Sequence, residues 1–171
     1  MNYAKIRHAD IANGEGVRVS LFVSGCRNHC KNCFNRETWN FDYGAPFTEE
    51  TAKEIVDALS PDYIQGLTIL GGEPLEPENQ PAVLSLIQRV RREFPQKDIW
   101  LYTGFEFEEV IGQKLSRICA PQIACSVDVL VDGRFDDNLR NISLKYRGSS
   151  NQRIIDIPKT VRSGQIALWK G

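Results

Sequence analysis

Hydrophobic and polar positions along the 171 residues alternate between two periods. The apolar, β-branched run Val17-Arg18-Val19-Ser20-Leu21-Phe22-Val23-Ser24 predicts a first strand. Residues 1–16 ahead of it are polar, close in a glycine-rich turn and read as a flexible lead-in. Thr48-Glu49-Glu50-Thr51 has the form of a helix N-cap with acids in the first turn, and Ile55, Val56 and Leu59 follow at helical spacing. Ser60-Pro61-Asp62 ends that helix, and Leu67-Thr68-Ile69-Leu70 predicts a short buried strand. A second helix is expected from Pro77 to Phe94, with Val83, Leu84, Ile87 and Val90 on one face and Arg89, Arg91 and Arg92 solvated. Asp98-Ile99-Trp100-Leu101-Tyr102 reads as the third strand, Glu106 to Ile118 as a third helix, and Val127 to Val131 as a fourth strand ending at Asp132-Gly133. The tail is less regular. Tyr146 to Gln152 is polar, Arg153 to Ile157 reads as a strand, and Ile166 to Trp169 as a short strand or a docked end.

Strands alternating with helices imply an α/β domain with a parallel sheet and right-handed crossovers. The chain has room for four or five βα units, short of the eight units and ~250 residues of a full barrel. An open, partial (β/α) barrel of parallel strands is therefore expected, in one domain spanning 1–171. A half-closed barrel keeps its mouth accessible, which suits a protein substrate better than an engulfed small molecule. An apolar content of 42% and a charged content of 25% are ordinary for a globular protein. A net charge of −1 gives no electrostatic case for nucleic acid or an anionic membrane. No apolar run reaches the roughly 20 residues that span a bilayer, and the start, Met1 to His8, lacks the apolar segment of a signal peptide. The expected location is the cytoplasm, where thiols stay reduced. Five cysteines, an odd number, also argue against a disulfide framework.

The chemistry concentrates in Cys26-Arg27-Asn28-His29-Cys30-Lys31-Asn32-Cys33, directly after the first strand and the turn at Gly25. Three soft ligands at C-x3-C-x2-C spacing on one loop can hold a metal or an iron–sulfur cluster. A structural zinc site is closed by four ligands, whereas three protein ligands leave a position open for chemistry. The competing reading is a zinc-binding interaction module with His29 or His8 as fourth ligand, although His29 directly adjoins Cys30. Cys119 and Cys125 read as small hydrophobes in the core or at a strand edge. Gly71-Gly72-Glu73-Pro74 follows the second strand at its carboxyl end, where α/β folds gather ligands. Its glycines admit a close approach to the backbone, and Glu73 or nearby carbonyls can accept hydrogen bonds from an ammonium group. Asp132 could serve the same region, but turn formation is the preferred reading of Asp132-Gly133.

The triplet resembles the radical S-adenosylmethionine (SAM) superfamily. The surrounding stretches resemble the activating proteins of anaerobic (class III) ribonucleoside-triphosphate reductases. They are Asn13-Gly14-Glu15-Gly16-Val17-Arg18, Leu21 to Cys26, Cys33-Phe34-Asn35, Thr38-Trp39, Gly71 to Leu75, Val131 to Phe135 and Tyr146 to Gln152. The resemblance implies a partial barrel of the radical SAM type and a [4Fe–4S] cluster on Cys26, Cys30 and Cys33. It also implies SAM contacts from Asn32, Cys33 and Phe34 to the adenine and from Gly71, Gly72 and Glu73 to the amino group. Asn13, Gly14, Gly16, Arg18, Thr103 and Asp132 are further candidates near the site. Many radical SAM proteins carry an aromatic just before the last cysteine. Here that place is Asn32, and the aromatic, Phe34, follows. The implied reaction reduces SAM to methionine and a 5′-deoxyadenosyl radical, which takes hydrogen from a glycine of the reductase large subunit. A flavodoxin-like protein is the implied electron donor. Alternatives are an activase of another glycyl-radical enzyme of the pyruvate formate-lyase type and a small-molecule radical SAM enzyme. No role is assigned to the Tyr146 to Gln152 segment.

Overall fold

Alternation along the central strands gives the two faces of the sheet different work. The computed structural model describes residues 1–112 and 119–171. In chain order the strands are β1 (Asn2–Asp10), β2 (Val17–Val23), β3 (Ala45–Pro46), β4 (Ile64–Gly71), β5 (Asp98–Tyr102), β6 (Val129–Asp132) and β7 (Arg153–Asp156). The helices are α1 (Glu49–Leu59), α2 (Gln80–Glu93), α3 (Phe107–Ile111), α4 (Ala120–Ser126) and α5 (Ile157–Ser163). The strands form one sheet in the order β3-β1-β2-β4-β5-β6-β7. Val19, Leu21, Val23, Leu67, Ile69, Ile99, Leu101 and Leu130 point to one face and pack against Ile55, Leu59, Val83, Ile87, Val90 and Ile123 of the helices. Their alternating neighbours Arg18, Phe22, Thr68, Leu70, Trp100 and Tyr102 belong to the opposite face, as a period of two requires.

Pairing corrects the expected all-parallel sheet. β2, β4, β5 and β6 are parallel, but β1 and β3 at one flank and β7 at the other are antiparallel. The sheet is not closed, and a barrel of the radical SAM type is not established by this topology. The largest departure is the N-terminus. Residues expected to be a flexible lead-in form the nine-residue β1, whose Ile6 pairs with Leu21 and Arg7 with Ser20. Its polar composition suits a strand whose outer edge, among the described residues, is paired only at Asn2 and Tyr3.

Local signals held elsewhere. Thr48 caps α1 in a reciprocal capping box with Thr51. α2 begins at Gln80 rather than Pro77, because Asn79 and Gln80 first turn back to the Glu76 carbonyl. Of its arginines, Arg89 and Arg91 are not simply solvated: Arg89 donates to Glu49 and Glu93, and Arg91 to the Ser126 carbonyl and Asp128. β6 starts at Val129, two residues late, because Asp128 turns its carboxylate to Arg91 and the Ile99 amide. The helix expected over 106–118 is seen as α3, and its continuation over 113–118 lies outside the described residues. Cys125 sits exposed on α4, an element the sequence reading did not foresee, and not in the core or at a strand edge.

Arg18 is the exceptional core residue, fully buried among apolar strands. Its guanidinium donates to Thr68 Oγ1 (2.7 Å), the Leu67 carbonyl (2.9 Å), the Glu15 carbonyl (3.0 Å) and Asp98 Oδ1 (2.5 Å), and it lies 5.4 Å from the Trp100 ring centre. A charge this deep is tolerated only because it is paired and hydrogen-bonded. It thereby ties β2 to β4 and β5. Arg18→Met is expected to lower unfolding free energy by about 3 kcal/mol in urea titrations, while the purified variant still takes up iron and sulfide. A loss of iron binding with unchanged stability would assign Arg18 to the site instead.

Candidate functional site

The carboxyl ends of the parallel strands open onto one cavity of about 400 Å³. Cys26, Cys30 and Cys33 all line it, as do Gly71, Gly72 and Glu73 from the end of β4. Cys26 is buried, and Cys30 and Cys33 are half-buried. The loop curls because His29 (φ 47°) and Asn32 (φ 56°) adopt the left-handed conformation, which asparagine and histidine enter more readily than most residues. The curl lets the Cys33 amide donate to the Cys30 carbonyl at 3.2 Å.

Burial sets the protonation of the cysteines. Burial pushes the Cys26 thiol up to about 12, with the Glu73 carboxylate and Cys30 adding to the rise against amide donors from Asn28 and His29. Burial and the neighbouring Cys33 also raise Cys30. Desolvation of this kind favours the protonated thiol, and a bound metal reverses the balance by replacing the proton. Among the described residues, no three His, Cys, Asp or Glu side chains converge as ligands of one ion would. Thiolates that each hold a different iron of a cluster need no such convergence. The two histidines are engaged elsewhere: His29 stacks on Trp39 with ring centres 4.5 Å apart, and His8 pairs with Glu54 at 2.9 Å on the surface. The donor set therefore fits a cluster held by three cysteines better than a four-ligand zinc site.

Glu73 holds the loops in place. Its side chain is fully buried, and its two oxygens accept from four donors. The Leu75 amide (3.0 Å) and the Thr103 hydroxyl (2.8 Å) reach one oxygen. The Gly104 amide (2.7 Å) and Asn28 Nδ2 (3.0 Å) reach the other. Burial pushes this carboxyl up to about 7 despite those donors. One side chain thus joins the cysteine loop, the turn after β4 and the turn after β5. A second clamp flanks it. The Arg27 amide donates to Glu76 (2.8 Å), the Arg27 guanidinium grips Glu76 and Glu78 (2.6 Å each), and it lies 4.3 Å from the Phe41 ring centre.

The glycines have a use beyond the expected approach of a ligand. Gly71 has φ 109°, and a Cβ there would meet the Phe22 and Val23 backbone at 2.8 Å. A Cβ on Gly72 would lie 2.7 Å from the Gly25 carbonyl. Both must be glycine so that β4 continues pairing past the sheet, with Gly72 N–H to the Val23 carbonyl and Glu73 N–H to the Gly25 carbonyl, each 2.8 Å.

Of the other residues singled out from sequence, Phe34, Thr103 and Asn13 also line the cavity. Asn32 is turned away, donating to Asp137 at 2.7 Å. Gly14 packs on Arg18 and Trp100, and Gly16 on Gln65. The Asp132 carboxylate is buried against Arg153 and the Phe107 amide. Lys5, Arg7, Tyr102, Phe135, Gly148 and Gln152 line the cavity without having been anticipated. Lys5 and Arg7 stand over the Phe22 ring; only the alternation of Tyr3, Lys5 and Arg7 with Ala4, Ile6 and His8 hinted at the strand that carries them.

A family model for a 4Fe-4S single cluster domain matches residues 12–155. The chain is 45% identical to the anaerobic ribonucleoside-triphosphate reductase-activating protein of Enterobacteria phage T4, over 90% of this chain and 93% of that one. It is 43% identical to the protein of the same name from Escherichia coli (strain K12), over 89% and 96%. To that of Haemophilus influenzae it is 44% identical, over 90% and 97%. With its three cysteines around one cavity, the chain belongs to the family of anaerobic ribonucleoside-triphosphate reductase-activating proteins and carries that family's 4Fe-4S domain.

Proposed function

We propose that this chain is a single-domain radical SAM enzyme that installs a glycyl radical in an anaerobic ribonucleoside-triphosphate reductase. The observation that carries the reading is the opening of Cys26, Cys30, Cys33 and the Gly71-Gly72 turn onto one cavity. The thiolates of Cys26, Cys30 and Cys33 would hold a [4Fe–4S] cluster and, being three, would leave it a position open to SAM. Bound there, the cluster would supply the one electron that cleaves SAM to methionine and an adenosyl radical, and that radical's uptake of a hydrogen atom from a glycine α-carbon would give 5′-deoxyadenosine and a glycyl radical. The electron comes from a flavodoxin-like donor, and the setting is the cytoplasm.

The chain's own residues bind, orient and exclude. Because all four acceptor positions of Glu73 are filled by donors of the protein, the SAM ammonium is assigned to backbone carbonyls of Gly71 and Gly72. Backbone groups of Cys33 and Phe34 face the adenine. Asn32 joins them through its main chain only, since its side chain is committed to Asp137. Asn13 and Thr103 complete the wall. An unclosed sheet leaves a mouth through which a glycine-bearing loop of the large reductase subunit can reach the site.

Alanine at any one of Cys26, Cys30 or Cys33 is expected to abolish formation of the partner's glycyl radical, read as an EPR signal after anaerobic incubation with reductase, SAM and reductant. Full radical yield from any of these variants would overturn the reading. Glu73→Gln replaces an acceptor with a group that is half donor. It is expected to cost about 1–3 kcal/mol of stability and to speed chelator-driven loss of iron, followed by the fading of cluster absorption.

A further inference from the structure

Past the stretch matched by the family model, α5 is capped by Gly164 and the chain returns along β7. The Asp156 amide donates to the Ala167 carbonyl and the Trp169 amide to the Ile154 carbonyl, both at 2.9 Å. This run delivers Trp169 onto Trp100 and Tyr146, with ring centres 5.1 and 6.0 Å away and the rings edge to face. Trp100 and Tyr146 also meet edge to face, 5.4 Å apart. The three rings close on one another on the cavity side of the sheet.

Tyr146 transmits this packing to the site. It holds φ 58°, a conformation a bulky residue keeps only where its surroundings over-determine it. Its carbonyl accepts the hydroxyl of Tyr102, a cavity residue, at 2.8 Å. The polar turn that follows is knotted around Gln152. Its Oε1 accepts from the Gly148 and Ser149 amides (2.9 and 3.2 Å), and its Nε2 donates to the Gly133 carbonyl (3.0 Å). Gly133, Phe135, Gly148 and Gln152 are one continuous part of the cavity wall, and Phe135 meets Phe34 at 5.9 Å.

We propose that Trp169 is a positioning residue: the C-terminal run is a strap that fixes Tyr146 and thereby presets the 133–152 wall for the adenosine end of SAM. The assignment of SAM to that wall rests on the function proposed above; the strap does not. It gives the Tyr146 to Gln152 segment a role as the part of the wall that the tail holds.

The test compares cluster-loaded parent, Trp169→Ala, Trp169→Phe and Tyr102→Phe proteins under anaerobic conditions. Amide hydrogen exchange over 146–152 reads the strap, and the Kd for S-adenosylhomocysteine reads the cavity. Trp169→Ala is expected to accelerate exchange over 146–152 by at least roughly tenfold and to weaken binding by at least roughly fivefold. Trp169→Phe keeps an edge-to-face ring and should stay within about twofold of the parent in both. Tyr102→Phe should weaken binding, and combining it with Trp169→Ala should add less than the product of the two effects. Unchanged exchange in Trp169→Ala overturns the strap. Accelerated exchange with unchanged affinity overturns its action on the cavity, as does equal weakening by the Phe and Ala variants. If the parent itself fails to bind while exchange in Trp169→Ala still accelerates, the SAM reading falls and the strap stands.

Discussion

A single buried carboxylate organises the working end of this molecule. Strand-end loops are irregular, and their backbone polar groups cannot be left unpaired when burial takes them from water. Glu73 meets that demand for the Leu75 and Gly104 amides and adds the Asn28 and Thr103 side chains, so that one carboxylate joins three loops. The cysteine loop therefore does not hang free beyond β2 but is tied to the turns after β4 and β5. The cost is a carboxylate in a desolvated place, which burial pushes up to about 7.

The same economy governs the sheet. Helices cover one face with an aliphatic core, which leaves the other face free for polar and aromatic work. Arg18, Thr68 and Trp100 pin the central strands from the cavity side. β1 brings Lys5 and Arg7 to the cavity, and the C-terminal run brings Trp169 to the aromatic cluster beside it. Because the sheet stays open, β1 supplies part of the cavity wall through Lys5 and Arg7.

Legibility from sequence followed the range of the forces involved. The cysteine triplet, the capping of α1 by Thr48 and the apolar cores of β2, β4 and β5 are local patterns and could be read directly. β1 could not, because its Lys5, Arg7 and His8 look like a solvated lead-in until their pairing with β2 is known. Asp132 and Asn32 carried no sign that Arg153 and Asp137, distant in the chain, would claim them. Glu73 was legible as a site residue but not as a fastener, since its four donors come from three separate loops. Gln152 and Trp169 were silent for the same reason: the Gly133 carbonyl and the Trp100 ring that they meet lie far off in the chain.

The central claim is that Cys26, Cys30 and Cys33 hold one cluster with an iron open to SAM. Low-temperature EPR of the anaerobically reconstituted, dithionite-reduced protein, recorded before and after adding SAM, tests it most directly. The account predicts a reduced [4Fe–4S] signal that SAM perturbs, with 5′-deoxyadenosine formed on incubation. A colourless protein that retains one zinc and cleaves no SAM would contradict it.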